Sequence, residues 1–377
     1  MPSSSTIIKQ VASKMLILSE KDVRRCLSMK DCLEINRKAL MAVSTNNPVA
    51  TTLAGGTATV PTRIGLPGPV TNQEGAEDWT LFKPAAFYAS ANSSNSLMGM
   101  KIVSIRSQNP ANHGLPLVPA TIMVLDAETG IAKAVVAGTY LTGARTAASS
   151  GLATQLVLSN NNKEVQHLVV FGAGLQAECH IDAIQTAMGA PIPKITLINR
   201  TLPRAEQLKQ QIMSANPQNA VTTTEVDVVL LDDKTAIQEA LSTASVIAAT
   251  TNVTQPLFED GMVLPEGCHI NGIGSYTPDM QEIPVSAVDR CRILIDTPNA
   301  KMVGDLKHLA EKTNTEHPIT LLGDALADPQ SFSPANNGSL YDCTFYKGVG
   351  TAIQDVMTAD FVVTKARELG IGTEVEM

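Results

Sequence analysis

Short apolar runs broken by turn residues fill the first part of the chain, and near its middle the rhythm changes to strand, helix, strand. KMLILS (14–19) reads as a short strand, and two helix starts follow it. Ser19 with Asp22 and Ser28 with Asp31 each pair a hydroxyl with an acid three residues on, which is the pattern of a capped helix N-terminus. From Thr51 to Gly99 the pattern loosens into Gly, Pro, Ser and Asn, which predicts loops around short strands. GMKIVSI (99–105) and PATIMVLDAETGIAKAVVAG (119–138) predict strands, the second stretch folding back at a turn from Asp126 to Gly130. Antiparallel sheet with helices is expected here.

LTGARTAASSGLATQLVLS (141–159) predicts a long helix rich in small residues. HLVVFGAG, LQAECHIDAIQTAMG and KITLINR then read as strand, helix and strand, and ASVIAATT, GCHINGIGS and CRILIDT continue the alternation. A parallel α/β sheet follows from that order. The C-terminal FYKGVGTAIQDVMTADFVVTKARELG reads as a final helix.

A length of 377 residues fits two domains. With 44% hydrophobic and 17% charged residues and a net charge of -8, the chain has an ordinary globular composition and no general affinity for nucleic acid. No apolar run is long enough to span a bilayer, and the start MPSSSTIIKQVASKM lacks the apolar centre of a secretory signal. A cytoplasmic protein acting on small molecules is expected. Its six cysteines are scattered without a C-x-x-C pair, and no histidines group at metal spacing, so reduced thiols and no metal are expected.

Gly172-Ala173-Gly174-Leu175-Gln176-Ala177 follows an apolar strand and opens a helix, which fits G-x-G-x-x-G/A. The first Gly permits a tight turn, the second lets a pyrophosphate approach the backbone, and the small third position packs helix on strand. A dinucleotide site is predicted. The second strand ends in Asn199-Arg200-Thr201, where an acid would select NAD by bonding the ribose 2′-hydroxyl. A guanidinium and a hydroxyl there suit a 2′-phosphate instead, so NADP(H) is favoured and NAD(H) is the second option. A solvated surface charge is the plainer reading of Arg200.

Three cations stand among apolar or small neighbours: Arg63 in VPTRIG, Lys101 in GMKIVS and Arg145 in LTGARTA. Arg145 is expected in the first turn of its helix, where the macrodipole disfavours a cation unless an anion binds. A structural salt bridge is the alternative. Lys101 lies in a strand pattern, so register decides whether it faces in or out.

RIG at Arg63, KPA at Lys83 to Ala85, KIVS at Lys101, LTGARTAASS, FGAGLQAECH, INRT, INGIGSYTPDMQEI and YKGVGTAIQD together resemble the ornithine cyclodeaminase and mu-crystallin family over most of the chain. The resemblance implies a Rossmann domain (146–339) inserted in an α+β substrate and dimerisation domain (1–145, completed by 340–377), and a homodimer. It also implies that Arg63, Lys101 and Arg145 converge on a substrate carboxylate, for which guanidinium forks and an ammonium are suited. Thr251, Ile273, Lys347 and Gly348 would border the nicotinamide, with Tyr276 and Val349 on the substrate side.

In the cyclodeaminases an aspartate acts as acid and base at the place where this chain has Tyr276. A phenol with an ordinary pKa near ~10 supplies no carboxylate at neutral pH. Asp279 substitutes only if the loop is shifted, and Glu282 is read as structural. Reduction of a cyclic imine beside a carboxylate is therefore expected, with Lys101 as proton donor. Ornithine cyclodeaminase, alanine or N-alkyl amino acid dehydrogenase, and a non-catalytic NADP-dependent binding protein stand as alternatives. The stretch 66–87 is longer than in the family's bacterial members and either covers the pocket or decorates the dimer.

Overall fold

A computed structural model of the chain describes residues 14–68, 78–91, 96–160, 162–215, 224–310, 317–332 and 341–377. Most of the opening stretch, and residues 69–77 of the expected 66–87 loop, lie outside them.

Seven strands of the first half enter one sheet: β1 (Lys14–Leu18), β2 (Gly56–Thr59), β3 (Ile64–Pro67), β4 (Trp79–Ala89), β5 (Leu97–Ile105), β6 (Ala120–Leu125) and β7 (Ala132–Ala137). Side chains alternate across it, so Lys101 and Val103, Ile122 and Val124, and Ala134 and Val136 all face one buried side. Lys101 is thus turned inward. The antiparallel pairing of β4 with β5 sets Lys83 directly opposite it, and Lys83 is buried too. The turn after β6 forms where predicted, with Asp126 Oδ1 accepting from Thr129 N at 2.8 Å and Gly130 at φ 73°.

Helices α1 (Glu20–Cys26) and α2 (Met29–Ala42) begin at the two predicted caps, since Ser19 and Ser28 hydroxyls accept from the backbones of Asp22 and Asp31. Two short helices follow, α3 (Pro48–Ala54) and α4 (Asn109–His113). The loosely patterned stretch differs from expectation. It contains α3 and the eleven-residue β4, whose inward Ala85 and Phe87 are buried although Pro84 interrupts the run. Helix α5 (Thr139–Ser159) starts two residues before the predicted helix. Arg145 therefore stands in its second turn, beyond the free N–H groups on which the macrodipole argument relied.

The second sheet is entirely parallel, with strands β8 (His167–Phe171), β9 (Lys194–Asn199), β10 (Glu225–Leu230), β11 (Val246–Ala249), β12 (His269–Gly272), β13 (Cys291–Ile295), β14 (Ile319–Leu321) and β15 (Cys343–Lys347). Its order is β10-β9-β8-β11-β12-β15-β13-β14. The order reverses between β8 and β11, the crevice where doubly wound sheets bind ligands. The crossovers run through α6 (Leu175–Met188), α7 (Leu202–Ala215), α8 (Lys234–Leu241), α9 (Val285–Asp289) and α10 (Leu322–Ala327).

One boundary is corrected. Residues 343–347, expected with the C-terminal helix in the first domain, form β15 and lie between β12 and β13 in the parallel sheet. The run CTFYK is wholly buried on both faces, as an interior parallel strand requires. Only then does α11 (Ala352–Leu369) cross back, and β16 (Thr373–Glu376) pairs antiparallel with β1 in the first sheet. The fold is α/β, a Rossmann-type parallel sheet joined to a mixed sheet packed with helices.

Candidate functional site

β5 brings Lys101, α5 brings Arg145 and α11 brings Asp355 to one point beneath the first sheet. Asp355 Oδ1 accepts from Lys101 Nζ at 2.7 Å and from Arg145 Nε at 2.8 Å. All three side chains are buried. Burial alone would raise the Asp355 pKa, but Arg145, Lys101 and Lys83 outweigh it and hold the carboxyl down at about 2. Lys101 is pushed well below the ordinary lysine range by burial and then by Arg145, against the pull of Asp355. One carboxylate oxygen is thus shared between Lys101 and Arg145, while the other, Oδ2, is buried without a hydrogen-bond partner among the described residues.

The neighbouring contacts fix this knot in place. Arg145 Nη1 lies 3.5 Å from Gln354 Oε1, whose amide nitrogen donates to Ser149 Oγ at 2.5 Å and Asn36 Oδ1 at 3.1 Å. Three helices are thereby tied to one guanidinium. Lys83 Nζ donates to Gly350 O at 3.1 Å, and burial lowers its pKa to about 8. Gly350 has φ 76°, and a Cβ there would run into the Arg145 guanidinium. Asp296, just past β13, accepts from Val349 N at 2.9 Å and Gly350 N at 2.5 Å. Arg63, half-buried on the segment before β3, is close enough to Lys83 to depress its pKa further.

Because Val349 and Gly350 directly follow β15, the charged knot faces the carboxyl ends of the parallel strands. Gly172 follows β8 at φ 108°, and a Cβ there would stand 2.7 Å from Thr250 Oγ1 just after β11. Gly174 caps α6 without any side-chain hydrogen bond, which leaves the first-turn N–H groups for an anion. Gln176 Oε1 is buried and unpartnered. Arg204 of α7 holds its Nη2 3.4 Å from where a Gly174 Cβ would lie. This turn fits the pyrophosphate of a dinucleotide, with Leu175 and Ala177 opening the helix. At the end of β9, Asn199 Nδ2 donates to Thr201 O at 2.8 Å, and Arg200 is exposed.

Glu282 clamps the loops beside this crevice. Its carboxylate accepts from Thr251 N at 3.0 Å, Gly274 N at 2.6 Å and Ser275 N at 3.1 Å, which holds Thr251 and Ile273 at the sheet edge. Lys347 corrects an expectation. Its ammonium is fully buried on Asp305 Oδ2 at 2.9 Å, with Glu282 Oε2 at 4.0 Å, so the lysine side chain is turned into the protein and does not border the crevice. Tyr276 is half-buried in the loop after β12, and burial pushes its phenol above the ordinary range. Asp279 is exposed beyond Pro278.

Sequence reasoning found Lys101 and Arg145 but missed the carboxylate that joins them. Asp355 was legible as an acid inside the apolar run AIQDVMTADFVV, a position that requires a buried cation. Lys83 is marked in the sequence only by the KPA motif, and Asp296 and Arg204 carry no local signal. The salt-bridge alternative for Arg145 is real, yet the bridge uses only its Nε among the guanidinium nitrogens.

Comparisons with known proteins agree with this architecture. Δ1-Pyrroline-2-carboxylate reductase of Thermococcus litoralis, solved with NADH and L-proline, superposes with a TM-score of 0.76 at 24% identity, covering 96% of this chain and 100% of that one. Δ1-Pyrroline-2-carboxylate reductase of Bacillus cereus is 28% identical over 369 residues, 96% of this chain and 100% of that protein. An uncharacterized cyclodeaminase of Dictyostelium discoideum is 30% identical over 389 residues, again 96% and 100%. The family model for ornithine cyclodeaminase/mu-crystallin matches residues 85–370. Carrying that match through both sheets, from β4 to the end of α11, the chain belongs to the ornithine cyclodeaminase/mu-crystallin family.

Proposed function

We propose that this protein is an NADPH-dependent reductase of imino acids, acting on cyclic ketimines such as pyrroline-2-carboxylate or piperideine-2-carboxylate. Its class is that of nicotinamide-dependent oxidoreductases acting on carbon–nitrogen bonds, to which the Bacillus cereus relative belongs by name. The observation that carries the reading is the buried Lys101–Asp355–Arg145 knot facing the glycine turn.

Gly172 to Ala177 would hold the pyrophosphate of the dinucleotide, whose reduced nicotinamide would supply hydride. Arg145, with Arg63 on the open side, orients the substrate carboxylate through N–H groups not used by Asp355. Lys101 donates the proton that keeps the imine nitrogen cationic and its carbon electrophilic. An ammonium with a depressed pKa is the better acid near neutral pH, and Asp355 holds it in one position. Tyr276, Thr251, Ile273 and Val349 line the space between the two groups. With a phenol at Tyr276, the chain lacks the carboxylate that cyclodeamination uses.

Arg200 and Thr201 favour NADP over NAD through the 2′-phosphate. A homodimer forms through the outer side of the first sheet and its edge, where Ile17, Ile64, Leu66 and Met123 are exposed. Among the described residues no helix is long and apolar enough to cross a membrane. The six cysteines are unpaired and buried, which fits a reducing, cytoplasmic location.

The test offers pyrroline-2-carboxylate and piperideine-2-carboxylate with NADPH or NADH, and L-ornithine with NAD or NADP. Consumption of NADPH by the imines and no ammonia from ornithine are expected. Rapid ammonia release from ornithine would overturn the reading. Lys101→Met should abolish reduction and retain NADPH binding.

A further inference from the structure

Two buried lysines stand opposite each other under the first sheet. Lys83 of β4 and Lys101 of β5 are direct partners in the antiparallel register, so both project to the same buried side. Different groups hold them. Lys83 Nζ donates to the Gly350 carbonyl at 3.1 Å, whereas Lys101 Nζ donates to Asp355 Oδ1 at 2.7 Å and lies 3.5 Å from Thr142 Oγ1. Arg145 of α5 shares Asp355 with Lys101, and Arg63 and Asp296 lie close enough to Lys83 to act on its charge. Asp355 Oδ2 and Asp296 Oδ1 are buried without a hydrogen bond among the described residues, so the cluster is not short of negative charge.

This arrangement sets two demands on Lys101 against each other. A carboxylate at 2.7 Å fixes its position, but it also stabilises the ammonium and makes it a reluctant acid. A proton donor has to give that proton up near neutral pH. Like charges directly across two strands repel, and inside the protein the repulsion is screened far less than in water. It acts while Lys101 is an ammonium and disappears once Lys101 is a neutral amine, so it favours the transfer. The directions agree: burial and then Arg145 push Lys101 down, Asp355 opposes them, and Lys83 adds to the push. Lys83, lowered by burial to about 8, stays mostly charged at pH 7.

We propose that Lys83 is a positioning residue for proton transfer: its ammonium, held opposite Lys101 by strand register and by the Gly350 carbonyl, drives the Lys101 proton toward the substrate nitrogen. In that step an N–H bond of Lys101 breaks, and the imine nitrogen takes the proton with its lone pair. Lys101 becomes a neutral amine while Asp355 stays ionised on Arg145. Hydride from the reduced nicotinamide then adds to the imine carbon, and water returns a proton to Lys101. The inference rests on the imine-reductase reading for what the proton does, but the effect of Lys83 on Lys101 is measured without turnover.

NMR of protein labelled with 13C at lysine Cε follows the titration of Lys101, its signal identified by its loss in Lys101→Arg. Wild type should titrate well below the ordinary lysine value of ~10.4. Lys83→Gln keeps a donor for the Gly350 carbonyl and removes the charge; it should raise the Lys101 midpoint by about one pH unit, a tenfold loss of acidity. Lys83→Arg keeps the charge and should restore the wild-type midpoint. An ordinary midpoint in wild type, or an unchanged one in Lys83→Gln, overturns the proposal. If Lys83→Gln does not fold, Lys83→Met is read in its place. The pH profile of piperideine-2-carboxylate reduction by NADPH is measured alongside, and its alkaline limb should move up with the Lys101 midpoint in Lys83→Gln. Absence of any reduction counts against the imine-reductase reading, whereas the midpoint alone decides the role of Lys83.

Discussion

The two walls of the crevice are made of different material. Under the first sheet lie buried charges: Lys101, Arg145 and Asp355 hold one another in place, and Lys83 donates to the Gly350 carbonyl. Along the parallel sheet they are backbone N–H groups, a left-handed glycine and a small residue at the start of α6. A wall of charges recognises an anion strongly but depends on its internal pairing. A wall of backbone depends on the absence of side chains. Substitutions that are conservative on one wall are therefore disruptive on the other.

The largest effect is expected at the shared carboxylate. Asp355→Asn leaves Lys101 and Arg145 buried without it, and losing one partner of a buried ion pair costs ~3 to 5 kcal/mol. Denaturant unfolding should show that loss, together with a drop in turnover of roughly a hundredfold or more. Near-wild-type stability would mean that the charged wall is not held by its own pairing.

Acid should act on the other wall. His180 on α6 and His269 on β12 are held neutral by burial, each with its pKa lowered to about 4. Between that value and ~6.5 the unfolded chain binds more protons than the folded one, so stability is fully present above pH ~6.5 and falls as the pH drops toward 4. The two histidines together contribute at most about 7 kcal/mol. Asp355, held at about 2, does not titrate in this window. Melting temperature measured from pH 7 to pH 4 should decline, and in His269→Gln the decline should be shallower.

Gly172→Ala probes the backbone wall more gently. A side chain at φ 108° meeting Thr250 is strained by ~1 to 3 kcal/mol. Dinucleotide affinity should fall by roughly tenfold to a hundredfold, with Lys101 and Arg145 untouched. Unchanged affinity would remove the glycine from the cofactor argument. The smallest change is expected from Arg200→Asp, because Arg200 is exposed to solvent. It should shift the ratio of NADPH to NADH use by about tenfold, ~1.4 kcal/mol, and an unchanged ratio would return Arg200 to an ordinary surface charge.

Sequence alone determined what local chemistry dictates. The caps at Ser19 and Ser28, the turn at Asp126, the alternation of strand and helix after His167 and the glycine turn are all short-range, because each depends on residues a few positions apart. It also marked Lys101 and Arg145 as cations in apolar company, though not what they meet. Long-range placement belonged to the tertiary structure. β15 reads as the start of a helix until β12 and β13 close around it, and Lys347 reads as a cofactor residue until Asp305 takes its charge. Asp355 lies 254 residues from Lys101 and 210 from Arg145, and Lys83 meets Gly350 across 267. No local pattern encodes such partners. A buried charge requires a partner somewhere, and only the folded chain decides which one reaches it.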